Sequence, residues 1–218
     1  DDEDYAPLFE AMASRQLDTC LRGAMGLAAL QDTRAFGTLL QLSREQQSNA
    51  RVQVAEALEK LGDLRSLNRL RMMIRDHDAA VRDAAFSALA KLEKEEPLAA
   101  ARAGLTAEHE DILQRGLEVL ARILRKKDAG QAAFDLLART LNDPTASVRS
   151  EAFKVCLNKD VFASSEDALR FANESVYDDV REKILIELTA QYQEDWAWNM
   201  LLEFMNDSSQ KLRKEAFQ

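Results

Sequence analysis

Arginine returns along this chain at a nearly fixed interval, each time one residue after an apolar side chain: Ala50-Arg51, Val81-Arg82, Val148-Arg149, Val180-Arg181 and Leu212-Arg213. Cys20 and Leu113 hold the same register, so the column runs 20, 51, 82, 113, 149, 181, 213 with spacings of 31, 31, 31, 36, 32 and 32. A period of this length is that of a repeat architecture, in which one supersecondary unit is copied and stacked. Few other folds are compatible with it.

Neighbouring columns agree with the register. Fifteen residues before the arginine position stand Tyr5, Phe36, Leu67, Leu98, Phe134 and Trp198, with Glu166 as the exception; three residues later come Leu8, Leu39, Leu70, Ala101, Leu137, Leu169 and Leu201. This spacing predicts one apolar face of a first helix, with Trp198 in the core. Seven residues after the arginine position come Leu27, Leu58, Leu89, Leu120, Cys156 and Leu188, followed three residues on by Leu30, Leu61, Leu92 and Ile123. These predict the core face of a second helix.

Links between the helices carry the expected punctuation. Gly62 stands where a helix end wants positive φ, and Asp63 where the next turn wants a cap. Asn142, Asp143 and Pro144 form a turn signal, and the one long spacing is absorbed by a longer loop over Arg125 to Gln131. Scarce glycine (7) and proline (3), with no alternating β-branched run, complete an all-α reading.

"ARVQVAEALEKLGDLRSLNRLRMMIRDHDAAVRDAAFSALAKL" resembles two consecutive HEAT repeats of the short kind found in phycocyanobilin-lyase-like proteins, and a weaker form of the pattern covers the whole chain. The resemblance implies a right-handed α-solenoid of about seven HEAT-like helix pairs, the last truncated, with the arginine-bearing second helices lining a concave side. Residues 1–218 are expected to form a single array, a segment of a larger protein, because the chain stops inside a second helix at Phe217, whose column should face the core. Physics supports the stacking independently: a lone helix pair cannot bury its apolar face, but neighbours laid side by side can.

The arginines are read as a structural ladder. Six residues before the arginine position stand Asp76, Asp143 and Asp207, each expected to cap its turn and to receive an arginine from an adjacent unit. Arg51, Arg82, Arg149, Arg181 and Arg213 would thereby hold repeats in register.

Catalytic groups are sparse. His77 and His109 lack a companion at metal-ligating spacing, and the single pair His109-Glu110 falls short of the several His-Glu pairs with which deoxyhypusine hydroxylase, a HEAT-like enzyme family, holds two irons. No phosphate loop or nucleophile motif is present, so no catalytic residue, cofactor or metal is assigned, and the chain is read as a non-enzyme. Cys20 and Cys156 are read as small apolar residues of a reducing, cytoplasmic compartment. No apolar run has the length of a membrane span, so membrane insertion is not expected.

The surface residues follow from the columns. Glu56, Ser87, Glu118 and Lys154 lie five residues after the arginine position, and Lys60, Lys91 and Arg122 nine after it. Glu56 and Glu118 are each one turn before a base, predicting pairs with Lys60 and Arg122. The leading expectation is a scaffold that receives a peptide or protein on this face, with Trp196 either packed on the preceding loop, the favoured reading, or exposed as an anchor. Nucleic-acid binding or DNA repair through the basic row Lys60, Lys91 and Arg122 is the weaker alternative, because the chain's net charge is −9. A third is a structural arm of a multidomain enzyme. Partner identity and oligomeric state are not readable.

Overall fold

The computed structural model describes residues 5–217; the acidic opening, residues 1–4, and Gln218 lie outside the described residues. The described residues form α-helices, 3-10 turns and loops, without a strand. First helices α1 (Ala6–Met12), α3 (Phe36–Leu42), α5 (Leu67–Met73), α7 (Pro97–Leu105), α9 (Gln131–Leu141), α11 (Ser165–Ala172) and α13 (Asp195–Phe204) are short. They alternate with second helices α2 (Leu17–Ala29), α4 (Ser48–Leu61), α6 (Ala79–Leu92), α8 (Glu110–Leu124), α10 (Ala146–Cys156), α12 (Asp178–Ala190) and α14 (Gln210–Ala216).

The chain divides into two compact units, one up to Gly116 and one from Leu117. In the first, α1 packs on α2 and α5 on α6, while α2, α4 and α6 lie side by side. In the second, α9 packs on α10, α13 on α14, and α10, α12 and α14 follow one another in the same way.

Local signals explain the helix ends. Gly62 closes α4 at φ 70°, where a side chain would clash with its own backbone. Asp63 then accepts a hydrogen bond from the Arg65 amide and starts the 3-10 turn Leu64–Ser66 that leads into α5. Asp32 does the same one repeat earlier through the Arg34 amide. Pro97 begins α7, where its missing N–H has no intrahelical bond to lose.

The second-helix core column is buried throughout: Leu27, Leu58, Leu89, Leu120, Cys156 and Leu188. Of the other predicted second-helix core positions, Leu92 and Ile123 are half-buried, and Leu30 and Phe217 are exposed. Leu30, at the C-terminal end of α2, is 49% exposed, because it follows the last helical residue and leads into Gln31 at φ 57°. Phe217 is 71% exposed, although its column is buried at Phe86, Leu117, Phe153 and Leu185. Phe86 is covered in part by α7 at Gly104.

The first helices are rotated relative to the sequence reading. Tyr5, Phe36, Leu67, Leu98 and Phe134 are only half-buried, while the residue before several of them, Ala35, Ser66, Ala133 and Ala197, is fully inside. Small side chains at that point let the helix pair approach closely, and the large neighbour lies along the flank. Trp198 follows this rule further and is 57% exposed, correcting its core assignment; the buried face of α13 is Ala197, Met200 and Phe204.

Two glycines face each other where α7 meets α8. A Cβ added at Gly104 would lie 2.6 Å from the Gly116 Cα, and one at Gly116 would lie 2.8 Å from the Leu105 amide nitrogen. No L side chain fits either gap without moving a helix.

Candidate functional site

Among the recurrent arginines Arg51, Arg82 and Arg149 are buried and Arg213 half-buried, and their geometry is nearly the same in these four copies. In each, Nη1 donates to the two backbone carbonyls six and five residues back, in the turn before its own helix. Arg51 reaches Glu45 and Gln46, both at 2.8 Å; Arg82 reaches Asp76 at 2.8 Å and His77 at 3.1 Å. Arg149 reaches Asp143 at 2.7 Å and Pro144 at 2.9 Å, and Arg213 reaches Asp207 at 2.6 Å and Ser208 at 3.0 Å. These carbonyls lie in turns that cannot satisfy them by helical bonding, so the guanidinium fixes the turn while leaving its Nε–Nη2 edge free.

In Arg51, Arg82 and Arg149 that edge takes a carboxylate from the following repeat, but not always from the predicted column. Arg51 holds Asp76 in a two-point pair, both bonds 2.8 Å. Arg82 instead meets Asp111, with Nε 2.9 Å from Oδ2, and Arg149 meets Asp179, with Nε 2.9 Å from Oδ1. The physical reason is a swap of acidic position. Where the turn lacks aspartate, at Ala107 and Ser175, an aspartate stands four residues later, at the helix start. Where the turn has one, at Asp76 and Asp207, the later position is Ala80 or Lys211.

Asp76, Asp143 and Asp207 share a local duty whatever their arginine. Each accepts a backbone N–H two residues on: Asp78 at 2.9 Å, Thr145 at 2.8 Å and Ser209 at 2.7 Å. Burial pushes the Asp76 carboxyl up, but its bonds to Arg51 and the Asp78 amide outweigh this and hold it below the usual carboxylate range. Arg181 departs from the pattern: it pairs with Asp178 on its own helix, lies 3.6 Å from Asp207, and leaves its buried Nε without a partner. Arg149 also stacks on Tyr177, 3.9 Å from the ring centroid. In the same column Cys20 donates its thiol to the Met12 carbonyl at 3.0 Å, a weaker form of the same strap.

Outward-facing residues of the second helices are placed as follows. Glu56, Lys60 and Lys91 are exposed and Ser87 is half-buried in the first unit; Glu118, Arg122 and Lys154 are exposed in the second. The predicted pairs Glu56-Lys60 and Glu118-Arg122 do not form among the described residues. At such exposure an i,i+4 pair gains only about 0.3–0.5 kcal/mol, too little to hold two long side chains. Ties between repeats form in their place: Lys91 to Glu59 at 2.7 Å, and Arg115 to both Asp83 and the Ser87 hydroxyl, the latter at 3.1 Å. Lys154 pairs with Glu151 on its own helix at 2.6 Å.

Residues 5–90 match the family model of HEAT repeats. That segment is built of HEAT repeats, and the described residues continue as helix pairs beyond it. Among solved structures, it is similar to human deoxyhypusine hydroxylase in complex with glycerol (20% identity, 97% of this chain and 81% of that one, TM-score 0.36). It is also similar to an archaeal HEAT-like repeats protein from Thermococcus onnurineus NA1 (19% identity, 97% and 94%, TM-score 0.42) and to an engineered protein (18% identity, 98% and 93%, TM-score 0.45). No curated protein matches in sequence. At these identities and TM-scores the likenesses say nothing of activity.

The remaining candidates are quickly placed. His109 is half-buried just before α8, and among the described residues no group of three or more His, Cys, Asp or Glu is arranged to hold a metal ion. Burial pushes the Cys156 thiol up to about 12, so the thiolate is suppressed; Cys20 is only half-buried, and burial raises it too, with Glu45 adding to the effect. Trp196 is half-buried, and the fully presented indole is Trp198. Among the described residues no helix is long and apolar enough to cross a membrane.

Sequence reasoning missed Asp111 and Asp179. Their signal was present as the complementary acidic position, visible only when two columns are compared repeat by repeat.

Proposed function

We propose that this chain is a cytoplasmic protein-interaction scaffold, and that in each unit the outward residues of the second helices, Glu56, Lys60, Ser87 and Lys91 in the first and Glu118, Arg122 and Lys154 in the second, receive a peptide or protein domain. The observation that supports the reading is the division of labour in the second helices α4, α6 and α10. One edge is fixed by a buried arginine clasp, whereas the side chains five and nine residues further on are mostly exposed. Rigid elements with an exposed, variable face suit recognition by a folded or helical partner.

Nucleic acid is the weaker reading. Lys91 and Lys154 are already paired with Glu59 and Glu151, and a phosphate track draws its affinity from cations free to displace counterions. Trp198 offers a separate exposed aromatic in the second unit, of the type enriched at interface centres.

Photo-crosslinking in cells tests the scaffold. A photoreactive residue at Lys60, Lys91 or Lys154 should capture a defined partner, while the same residue at the first-helix positions Asn68 or Met72 should not. Capture only from the first-helix positions would overturn the reading. A salt-sensitive mobility shift of duplex DNA that is lost on reversing Lys60 and Arg122 would replace it with the alternative.

A further inference from the structure

One polar pair breaks the repeat pattern in two columns at once. Thirteen residues before the arginine position the chain has Thr38, Arg69, Ala100, Leu136, Ala168 and Met200; eight before it, Met12, Ser43, Ile74, Leu105, Leu141 and Asn173. Arg69 is the single cation of the first column. Ser43, fully buried, stands where the second column is mostly apolar. The two are bonded to each other: Arg69 Nε donates to Ser43 Oγ at 2.6 Å and Nη2 to the Ser43 carbonyl at 2.7 Å. A clasp that recurs is explained by the repeat; this pair occurs once and needs another cause.

The pair borders an open cleft of about 550 Å³ between the α3–α4 turn and the α5–α6 turn, which Arg44, Arg51, Asp76 and His77 also line. Arg51 is neutralised there by Asp76. Among the described residues no carboxylate pairs with Arg69 or Arg44. Glu45 also reaches the cleft, so three guanidiniums face two carboxylates in a chain that is otherwise strongly acidic. Burial and the Arg44 charge hold Arg69 below the usual guanidinium range, the direction expected of a cation that lacks an anion.

We propose that Arg69 and Arg44 form a binding site for a phosphate-class anion, with Ser43 as the brace that orients the Arg69 fork. Ser43 takes one edge of the guanidinium and leaves Nη1 for the ligand, and a planar fork with spare donors matches a phosphate oxygen pair. With Arg51 neutralised by Asp76, Arg44 and Arg69 face Glu45 alone and leave a net single positive charge, and the tetrahedral oxygens of a phosphate can meet both guanidiniums at once where a planar carboxylate fills one fork. The site is independent of the outward face assigned to partner binding.

Titration with inorganic phosphate and with phenyl phosphate, at fixed ionic strength and followed by calorimetry and by the Arg Nε resonances, tests the site. Saturable binding of either ligand is expected, weakened at least tenfold by Arg69→Met and by Arg44→Gln, and unchanged by Arg75→Gln, an exposed arginine of the next repeat. Tighter binding of phenyl phosphate identifies an esterified phosphate as the ligand, and tighter inorganic phosphate the free ion. Arg44→Gln leaves the Ser43 brace intact, so it reads the site even where Arg69→Met disturbs folding. Binding that both variants retain, acetate binding as tightly as phosphate, or no saturable signal would each overturn the proposal.

Discussion

Arg51→Met separates the two halves of the clasp energetically. Methionine keeps most of the apolar stem but removes four hydrogen bonds, two to Asp76 and two to the carbonyls of Glu45 and Gln46. The Asp76 side chain is 12% exposed, so its charge stays largely desolvated after its partner is gone. Deleting one member of a buried pair costs about 3–5 kcal/mol, and the surviving Asp78 amide bond places this case near the lower end, about 3 kcal/mol. The two carbonyls add little, since Glu45 and Gln46 can reach water. For Arg82→Met the partner Asp111 is 39% exposed and rehydrates, so the cost should be about 1–2 kcal/mol. Urea unfolding followed by far-UV circular dichroism measures both. Both tryptophans lie on α13, so their fluorescence should lag the circular dichroism change in Arg51→Met. Combining Arg51→Met with Asp76→Asn should cost at least about 1 kcal/mol less than the sum of the two single changes. An Arg51→Met loss under about 0.5 kcal/mol, or one no larger than that of Arg82→Met, would refute the clasp as a source of stability.

Glu93, capping the end of α6, is buried with one carboxylate oxygen unpartnered, and burial raises its pKa against the opposing pull of Arg71. A raised folded pKa means its favourable contribution is complete below the unfolded value and lost as pH rises through the folded value. Glu93→Gln should therefore raise the melting temperature at pH 7, with the gain vanishing below about pH 4. Asp76 has the opposite sign: its depressed pKa gives stability present above the unfolded value and lost as pH falls through the folded one, so Asp76→Asn should destabilise at pH 7 and converge with the parent in acid. Gly116→Ala should lose about 2 kcal/mol through the helix contact, whereas Gly37→Ala, with nothing within 4 Å, should gain up to about 1 kcal/mol; thermal unfolding compares them. Acrylamide should quench Trp198 more strongly than Trp196 in single-tryptophan variants, the reverse of what the column alone predicts.

The helix pairs and the second-helix core were legible because Leu58, Leu89 and their counterparts repeat without compensation. The first-helix orientation was not, since the apolar column at Phe36 and Leu67 conceals that the innermost side chains are its small neighbours Ala35 and Ser66. Size at a close approach outranks hydrophobicity there. Likewise Asp111 and Asp179 escaped a reading by single columns, because a guanidinium fixed by two carbonyls accepts a carboxylate arriving from either of two places. The cleft at Arg69 was invisible for the opposite reason: Ser43 and Arg69 are departures from the pattern, and only their contact gives the departures a common meaning.

Two admissible docking points for one cation make the seam between modules forgiving. A drifting gene can lose the acid in the turn once another has arisen a helical turn later, and no intermediate need pass through an open joint. Copies of such a module can be duplicated or exchanged so long as one acid remains on the incoming side, which loosens the coupling between how long an array grows and how faithfully each unit is copied.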